Sequence, residues 1–201
     1  MSKPPGSHAN TQDQVRIRRW SALNYHDPVP LLLELRNLEY EIAGARIEEK
    51  VRALRTNKLK KHRELREAAV FCHGMGSILG RTIRFARWEE DGYDFIMLQK
   101  DEDRFLFTPL QIKELVPSSL NPSTSLDSIL TGLGRYANAS DTVVAIHINQ
   151  RIRMNLKDIV VPDVKVGQIW LFGGADEMAE GFALYGDLCN DPRLYRFDLP
   201  S

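Results

Sequence analysis

The spacing of the apolar residues changes near Gly80, and this change constrains the fold more than any other feature of the sequence. Before Gly80, apolar residues recur at steps of three and four, the period of an amphipathic helix. After it, Thr82–Trp88, Tyr93–Gln99 and Arg104–Val116 are rich in β-branched and aromatic residues and predict three strands. A two-residue turn and the polar tip Lys100–Asp103 separate them. Because these connections are short, we expect the three strands to run antiparallel.

A helix and further strands follow this meander. Ser125 is a predicted N-cap for a helix over Leu126–Tyr136, and Thr142–Asn149 is an apolar, β-branched strand. The crossover through the helix permits this strand to return parallel to the third one. Gln168–Phe172 predicts one more strand, and the acidic, loop-rich end predicts a short helix near Asp176–Phe182. The expected fold class is therefore α/β, with a small mixed sheet in the order α-β-β-β-α-β flanked by helices.

The chain ahead of the sheet divides into a tail and two helical segments. Residues 1–27 are polar, end in a Pro-rich breaker, and predict a disordered tail. Residues 28–57 predict a helical arm, because the apolar stripe of Leu31–Ala45 has helical spacing. A second helix over Lys58–Met75 opens the α/β domain, which we expect to span residues 58–201.

Composition excludes several classes of protein. Twenty-seven basic residues balance 27 acidic residues, and 43% of the residues are apolar, so the chain is neither uniformly basic nor a disordered acidic chain. No apolar stretch approaches the ~20 residues that cross a bilayer. Cys72 and Cys189 form neither a disulfide framework nor a CxxC metal site. These features predict a cytoplasmic protein.

Charge is distributed unevenly along the chain. Arg46–Glu67 contains nine basic residues against four acidic ones, whereas Asp158–Ser201 contains three against eight. A basic segment of this kind is typical of a surface that meets an anionic partner, and also of an ordinary solvated helix face. Charge alone favours the second interpretation.

Polar residues converge in the hairpin of the second and third strands. If the hairpin turns at the centre of its polar tip, Asp94 lies across from Leu110 or Gln111, about 5 Å away. Gln111 and Lys113 are two residues apart, so both project from one face of the strand. Pro109 lacks a ladder donor and predicts a bulge, which leaves the register open to a shift of one residue. In apolar surroundings these groups need one another or a ligand, so they form either a structural cluster or a site.

The element order, with Asp94 opening the second strand and Gln111-Ile112-Lys113 in the third, resembles the PD-(D/E)XK nuclease superfamily. The pattern is most similar to the branches related to Mrr-type restriction enzymes and archaeal Holliday-junction resolvases, in which Gln can replace the acid of the E-x-K motif. The resemblance covers roughly residues 58–149. It implies that Asp94, Gln111 and the Ile112 carbonyl hold Mg²⁺ or Mn²⁺, and that Lys113 orients the attacking water.

In those branches a Glu on the first helix completes the site. Glu64 or Glu67 would supply it here, and we prefer Glu64, because it borders the apolar stripe of its helix whereas Glu67 points nearly opposite. The sequence departs from the motif twice. Tyr93 stands where the motif's proline precedes Asp94, and Gln111 in place of an acid removes one negative metal ligand.

The resemblance implies Mg²⁺-dependent cleavage of DNA phosphodiester bonds, as in restriction, repair, recombination or mobile-element processing. One alternative is a non-catalytic DNA-binding or assembly subunit on the same fold. Another is a structural protein that pairs with a second copy or a partner protein through the Leu31–Ala45 helix. His147, inside the fourth strand, is interpreted as a satisfied buried or strand-end histidine. The candidate contacts to DNA phosphates are Lys58, Lys60, Lys61, Arg63, Arg151 and Arg153.

Overall fold

Seven strands of the described chain form one sheet, in which they lie in the order of the sequence. The computed structural model describes residues 11–44, 60–90, 92–136, 139–150, 152–175 and 181–201. The strands are β1 (Ile83–Arg87), β2 (Phe95–Asp101), β3 (Arg104–Leu115), β4 (Ala139–Ile148), β5 (Val166–Gly174), β6 (Gly181–Gly186) and β7 (Arg193–Asp198). The described helices are α1 (Thr11–Ser21), α2 (Pro28–Gly44), α3 (Lys60–Leu79) and α4 (Leu126–Gly132).

The first four strands confirm the predicted order of elements. β1, β2 and β3 pair antiparallel, and β4 pairs with β3 in parallel after the crossover through α4. Ser125 caps α4 as predicted, because its hydroxyl accepts a hydrogen bond of 3.1 Å from the Ser128 N–H. The helix ends at Gly132 rather than at Tyr136 and continues as a short 3₁₀ turn, Leu133–Arg135. The predicted α-β-β-β-α-β series is therefore present.

The sheet is larger than predicted, because three strands follow β4. β5, which contains the predicted strand Gln168–Phe172, pairs with β4 in parallel, and β6 and β7 add antiparallel. The predicted short helix is wrong at Gly181 and Phe182, which begin β6; residues 176–180 lie outside the described chain. β6 and β7, of six residues each, lie in the segment that the sequence predicted to be acidic and loop-rich.

α3 packs on one face of the sheet and forms the larger apolar core with it. Eight residues between Glu67 and Met75 are buried, and Cys72 is fully enclosed. At Gly74 a Cβ atom would lie 2.7 Å from the side chains of Leu184 and Phe197, so only glycine lets the helix approach β6 and β7 this closely. The C-terminal strands are thus part of the α3 core.

α4 covers the opposite face of the sheet. Leu130 and Leu133 are buried there against Leu115 of β3 and Ile146 of β4. β3 therefore lies between two cores, and successive residues along it face α3 and α4 in turn. This alternation decides which polar residues of β3 can meet.

The predicted disordered tail is wrong from Thr11 onward, because Thr11–Ser21 forms α1. Trp20 is only 2% exposed and packs in a cluster with Trp88 and Tyr93. The guanidinium groups of Arg16 and Arg19 lie over the two tryptophan rings, each 4.7 Å from the centroid. A single large aromatic anchor thus orders a segment that is otherwise polar. Residues 1–10 lie outside the described chain.

α2 packs against α3 rather than standing apart as an arm. Leu32 and Leu35 are buried, and Leu32 belongs to the core under α3. The helical part of the predicted arm, Pro28–Gly44, therefore joins the α/β domain. Residues 45–59 lie outside the described chain, so the boundary at residue 58 stays a prediction. Among the described helices, none combines the length and apolarity that a membrane span requires.

Candidate functional site

The register of the β2–β3 hairpin brings Asp94 to Gln111. Phe95 pairs with Leu110, and the Asp94 N–H donates to the Leu110 carbonyl over 3.0 Å. The predicted convergence across the hairpin is confirmed. The predicted bulge is wrong: Pro109 pairs with Ile96 without a break in register. It precedes the ladder between β3 and β4, which begins at Leu110, so its missing N–H interrupts no pairing there.

The Asp94 carboxylate is bound by two donors from β3. Its Oδ2 accepts from the Ile112 N–H over 2.9 Å and from the Gln111 side-chain amide. The same amide nitrogen lies 3.1 Å from the Ile112 carbonyl oxygen. The Tyr136 hydroxyl donates to Gln111 Oε1 over 3.3 Å and so fixes which end of the amide faces Asp94. The Gln111 nitrogen therefore lies between the two oxygens, from Asp94 and Ile112, that the sequence predicted as metal ligands.

These residues line an open cleft of about 530 Å³ on the α4 face of the sheet. Asp94, Gln111, Lys113 and Tyr136 contribute to its walls, and so does Arg135. The Lys113 ammonium has no carboxylate within 4.0 Å among the described residues. A cation and a carboxylate thus share an open cavity without being paired.

The environment of Asp94 favours its neutral form. Burial raises the pKa of this carboxyl above its ordinary value, and the negative charge of Glu64 raises it further. The Ile112 N–H and the charges of Lys113 and Arg87 lower the pKa and offset part of this effect. A carboxylate whose charge is disfavoured in this way gains from an additional cation.

Glu64, the preferred helix carboxylate, lies close enough for its charge to act on Asp94. It projects from the first turns of α3 and pairs with Arg87 over 3.2 Å and with Lys60 over 3.4 Å. It does not line the cleft. The structure therefore brings Asp94, Gln111 and Lys113 together and places Glu64 behind them, held by a basic residue of β1.

The candidate phosphate contacts do not form one group. Lys60 and Lys61 are exposed at the start of α3. Arg63 instead turns inward, where its Nε lies 3.9 Å from Glu67 and 3.6 Å from Glu114. Arg153 lines a separate cleft of about 390 Å³ near the start of α4. Lys58 and Arg151 lie outside the described residues, and the DNA contacts stay a prediction.

The sequence analysis missed a second polar cluster, formed by Glu67, Glu114 and His147 on the α3 face. His147 lies near the end of β4, and its Nδ1 is 3.1 Å from Glu67 Oε1, so the ring has a polar partner. The expectation that Glu67 points away from the core is wrong, because Glu67 is 3% exposed. The buried face of α3 is wider than the stripe used to predict it. The one sequence signal for this cluster was Glu114, the acidic residue that directly follows Lys113.

The described chain is thus a mixed α/β protein with an open polar cleft on one face of a seven-stranded sheet and a buried polar cluster on the other. Comparison of the chain with protein-family models, with curated proteins and with solved structures gives no match.

Proposed function

We propose that the protein is a Mg²⁺-dependent nuclease that hydrolyses DNA phosphodiester bonds in the cleft beside Asp94. The observation that carries the proposal is the convergence of Asp94, Gln111 and Lys113 in one open cavity, with the Ile112 carbonyl beside the Gln111 amide. A nuclease of this class needs oxygen ligands for a hard cation and a cation close to the attacking oxygen. The cleft offers both: Gln111, Ile112 and Lys113 belong to β3, and Asp94 directly precedes β2.

The donor set suits Mg²⁺ in kind. Mg²⁺ binds few protein oxygens and keeps several waters, and the cleft offers one carboxylate, one amide oxygen and one main-chain carbonyl. A half-turn of the Gln111 amide is needed, because its nitrogen now faces Asp94 and Ile112. That turn breaks the hydrogen bond from Tyr136 and places Oε1 beside the other two oxygens. The raised pKa of Asp94 accords with a carboxyl that is best ionised next to a cation.

The other residues of the cleft have distinct roles in this proposal. When bound, the divalent ion supplies Lewis acidity for the phosphate and acidifies a water. The Lys113 ammonium stabilises negative charge on the attacking oxygen and orients it for attack at phosphorus. Arg135, on the opposite wall, donates to phosphate oxygens of the bound strand. Glu64 adds negative charge behind Asp94 and strengthens the attraction for a cation.

A second candidate function is a DNA-binding or assembly subunit that keeps this arrangement without cleavage. The position of the Gln111 amide favours it, since a neutral NH₂ group already satisfies the two oxygens that a cation would need. In that case the cluster is structural, and Mg²⁺ changes neither the stability of the protein nor its affinity for DNA.

The test is nicking of supercoiled plasmid by the purified chain with Mg²⁺ or Mn²⁺. We expect Asp94→Ala and Lys113→Ala each to lower the rate about 100-fold or more, because each removes a group that acts on the reacting atoms. Asp103→Ala and Lys100→Ala, exposed residues near the tip of the same hairpin, are matched controls and should leave the rate unchanged. Wild-type activity in both cleft variants, or DNA binding without metal-dependent nicking, would contradict the proposal.

A further inference from the structure

Three potential metal ligands meet on the face of the sheet opposite the cleft. Glu114 and His147 are direct partners in the parallel register of β3 and β4, and Glu67 reaches them from α3. One ligand atom from each residue lies within 4.8 Å of the other two. His147 Nδ1 and Glu67 Oε1 are 3.1 Å apart. The carboxyl ends of β3 and β4 thus form a site that is independent of the hairpin.

The three side chains of the cluster are largely withdrawn from solvent. The side chain of Glu67 is 4% exposed, and those of Glu114 and His147 are each 13% exposed. The nearest guanidinium is that of Arg63, whose buried Nε lies beside both carboxylates yet has no hydrogen-bond partner among the described residues. Buried carboxylates are expected to be fully paired or bound to a metal. Among the described residues, the Arg63 guanidinium lies within 4.0 Å of both carboxylates.

The ligands are held by further contacts, as the ligands of metal sites are. The Asn149 amide donates to Glu114 Oε1 over 2.5 Å, which leaves Oε2 for the cluster. The ring of His147 stacks on Phe172, with centroids 4.9 Å apart and planes at 19°. Outer contacts of this kind fix the orientation of ligating carboxylates and imidazoles.

We propose that Glu67, Glu114 and His147 bind a divalent transition-metal ion, with Zn²⁺ as the best match. Zn²⁺ accepts both imidazole nitrogen and carboxylate oxygen ligands, whereas Mg²⁺ and Ca²⁺ prefer oxygen alone. Ligands about 2.1 Å from a tetrahedral ion lie roughly 3.4 Å apart. The His147–Glu67 pair, at 3.1 Å, is close to that distance, and all three ligand atoms lie within 4.8 Å of one another, so a small contraction suffices.

Arg63 competes with the ion for this site. Its side chain is 22% exposed, so the guanidinium can leave towards solvent when an ion enters. In the metal-free protein Arg63 supplies the positive charge that the ion would supply on binding. Removing this charge should therefore strengthen metal binding, an effect opposite to that of removing a ligand.

The experiment is calorimetric titration of Zn²⁺ into the full chain at pH 7.5 after treatment with a chelator. We expect one equivalent to bind at this site, and His147→Gln and Glu114→Gln to weaken the affinity about 100-fold or more. Arg63→Gln should tighten it about tenfold or more. His62→Gln, an exposed histidine on the same helix, is the matched control. Asp94→Ala should also leave Zn²⁺ binding unchanged, which separates this site from the nuclease cleft.

Two results would overturn the proposal. One is the absence of Zn²⁺ binding by the wild-type chain. The other is binding that His147→Gln and Glu114→Gln leave intact. If either ligand variant fails to fold, the Arg63→Gln comparison decides instead, because unchanged or weaker Zn²⁺ binding by that variant contradicts the competition.

Discussion

The two faces of β3 carry polar groups of opposite character. Gln111 and Lys113 face α4, in an open cleft where the Asp94 carboxylate is bound by neutral N–H donors and Lys113 is unpaired among the described residues. Glu114, the next residue along, faces α3 and is buried with a second carboxylate, an imidazole and a guanidinium. Adjacent residues of β3 therefore have different surroundings. Lys113 lines an open cavity, whereas Glu114 belongs to a largely buried ionic cluster.

Because alternate residues of a strand face opposite sides of the sheet, the alternation places polar groups, as well as apolar ones, in different environments. Water can screen charges in the cleft, so groups there can stay unpaired and ready for a ligand. On the α3 side the carboxylates have little contact with water, so their charges depend more on partners within the protein. The same residue types thus have different energetic consequences on the two faces.

The largest difference in stability between the two faces should come from replacing the basic residue on each face. Arg63→Gln should lower the free energy of unfolding of the metal-free protein by about 2–3 kcal/mol, because it leaves two buried carboxylates without their guanidinium. Lys113→Gln should change it by no more than about 0.5 kcal/mol, since this lysine has no close ion pair in the described chain. Urea unfolding of both variants measures the difference. Equal effects would mean that the two faces are alike.

A smaller effect should follow from adding an acid to the cleft. Gln111→Glu places a second carboxylate against Asp94 where an amide now donates, which raises the pKa of one carboxyl. We expect a loss of about 1–2 kcal/mol near neutral pH, partly relieved by Lys113. Mg²⁺ should then raise the melting temperature of the variant more than that of the wild type. Melting that ignores Mg²⁺ in both proteins would assign the cleft residues to a structural cluster.

The smallest effect concerns pH. The raised pKa of Asp94 means that the folded protein binds a proton there more readily than the unfolded chain. Stability is therefore lost as pH rises through the range between the two pKa values, and the loss is complete above the folded value. Asp94→Asn removes this cost while its amide oxygen still accepts from Ile112 and Gln111.

We accordingly expect Asp94→Asn to raise the melting temperature at pH 7 by less than about 4 °C. The gain should shrink as pH falls to about 4, the ordinary range of an aspartic acid. Melting curves from pH 4 to pH 8 test the trend, with Asp103→Asn as an exposed control. A gain that is the same at every pH would place its origin outside the carboxyl group.

The cleft was predictable from the sequence because its geometry is local. A short hairpin fixes which residues oppose one another, so counting from the tip placed Asp94 opposite Leu110 or Gln111, and the register observed selects Gln111. The alternation rule then put Lys113 on the same face. The Gln111 amide orientation was not predictable, because it depends on Tyr136, which follows α4 and reaches the cleft only after the crossover.

The ionic cluster was not predictable, because its residues meet through the tertiary fold. Glu114 and His147 become neighbours only through the parallel register of β3 and β4, which the length of a crossover does not determine. Glu67 is buried because α2 and the sheet together cover more of α3 than one apolar stripe indicates. β6 and β7 were not predicted for a similar reason. Their buried apolar residues pack in the core with α3, a contact that forms only in the tertiary fold.

Because Cys72 is buried, its reaction with a thiol reagent can report when α3 separates from the sheet. This thiol lies in the core between α3 and the sheet, and burial raises its pKa far above the ordinary range, so a thiol reagent reaches a reactive thiolate only when α3 leaves the sheet. Cys189 is surface-accessible, although partial burial and the Asp187 carboxylate raise its pKa to about 11. With Cys189 replaced by Ser, the rate of Cys72 labelling measures how often the helix that carries Glu64 and Glu67 detaches. The labelling rate of this one thiol would then report on the ionic cluster and the cleft without a cofactor or a substrate.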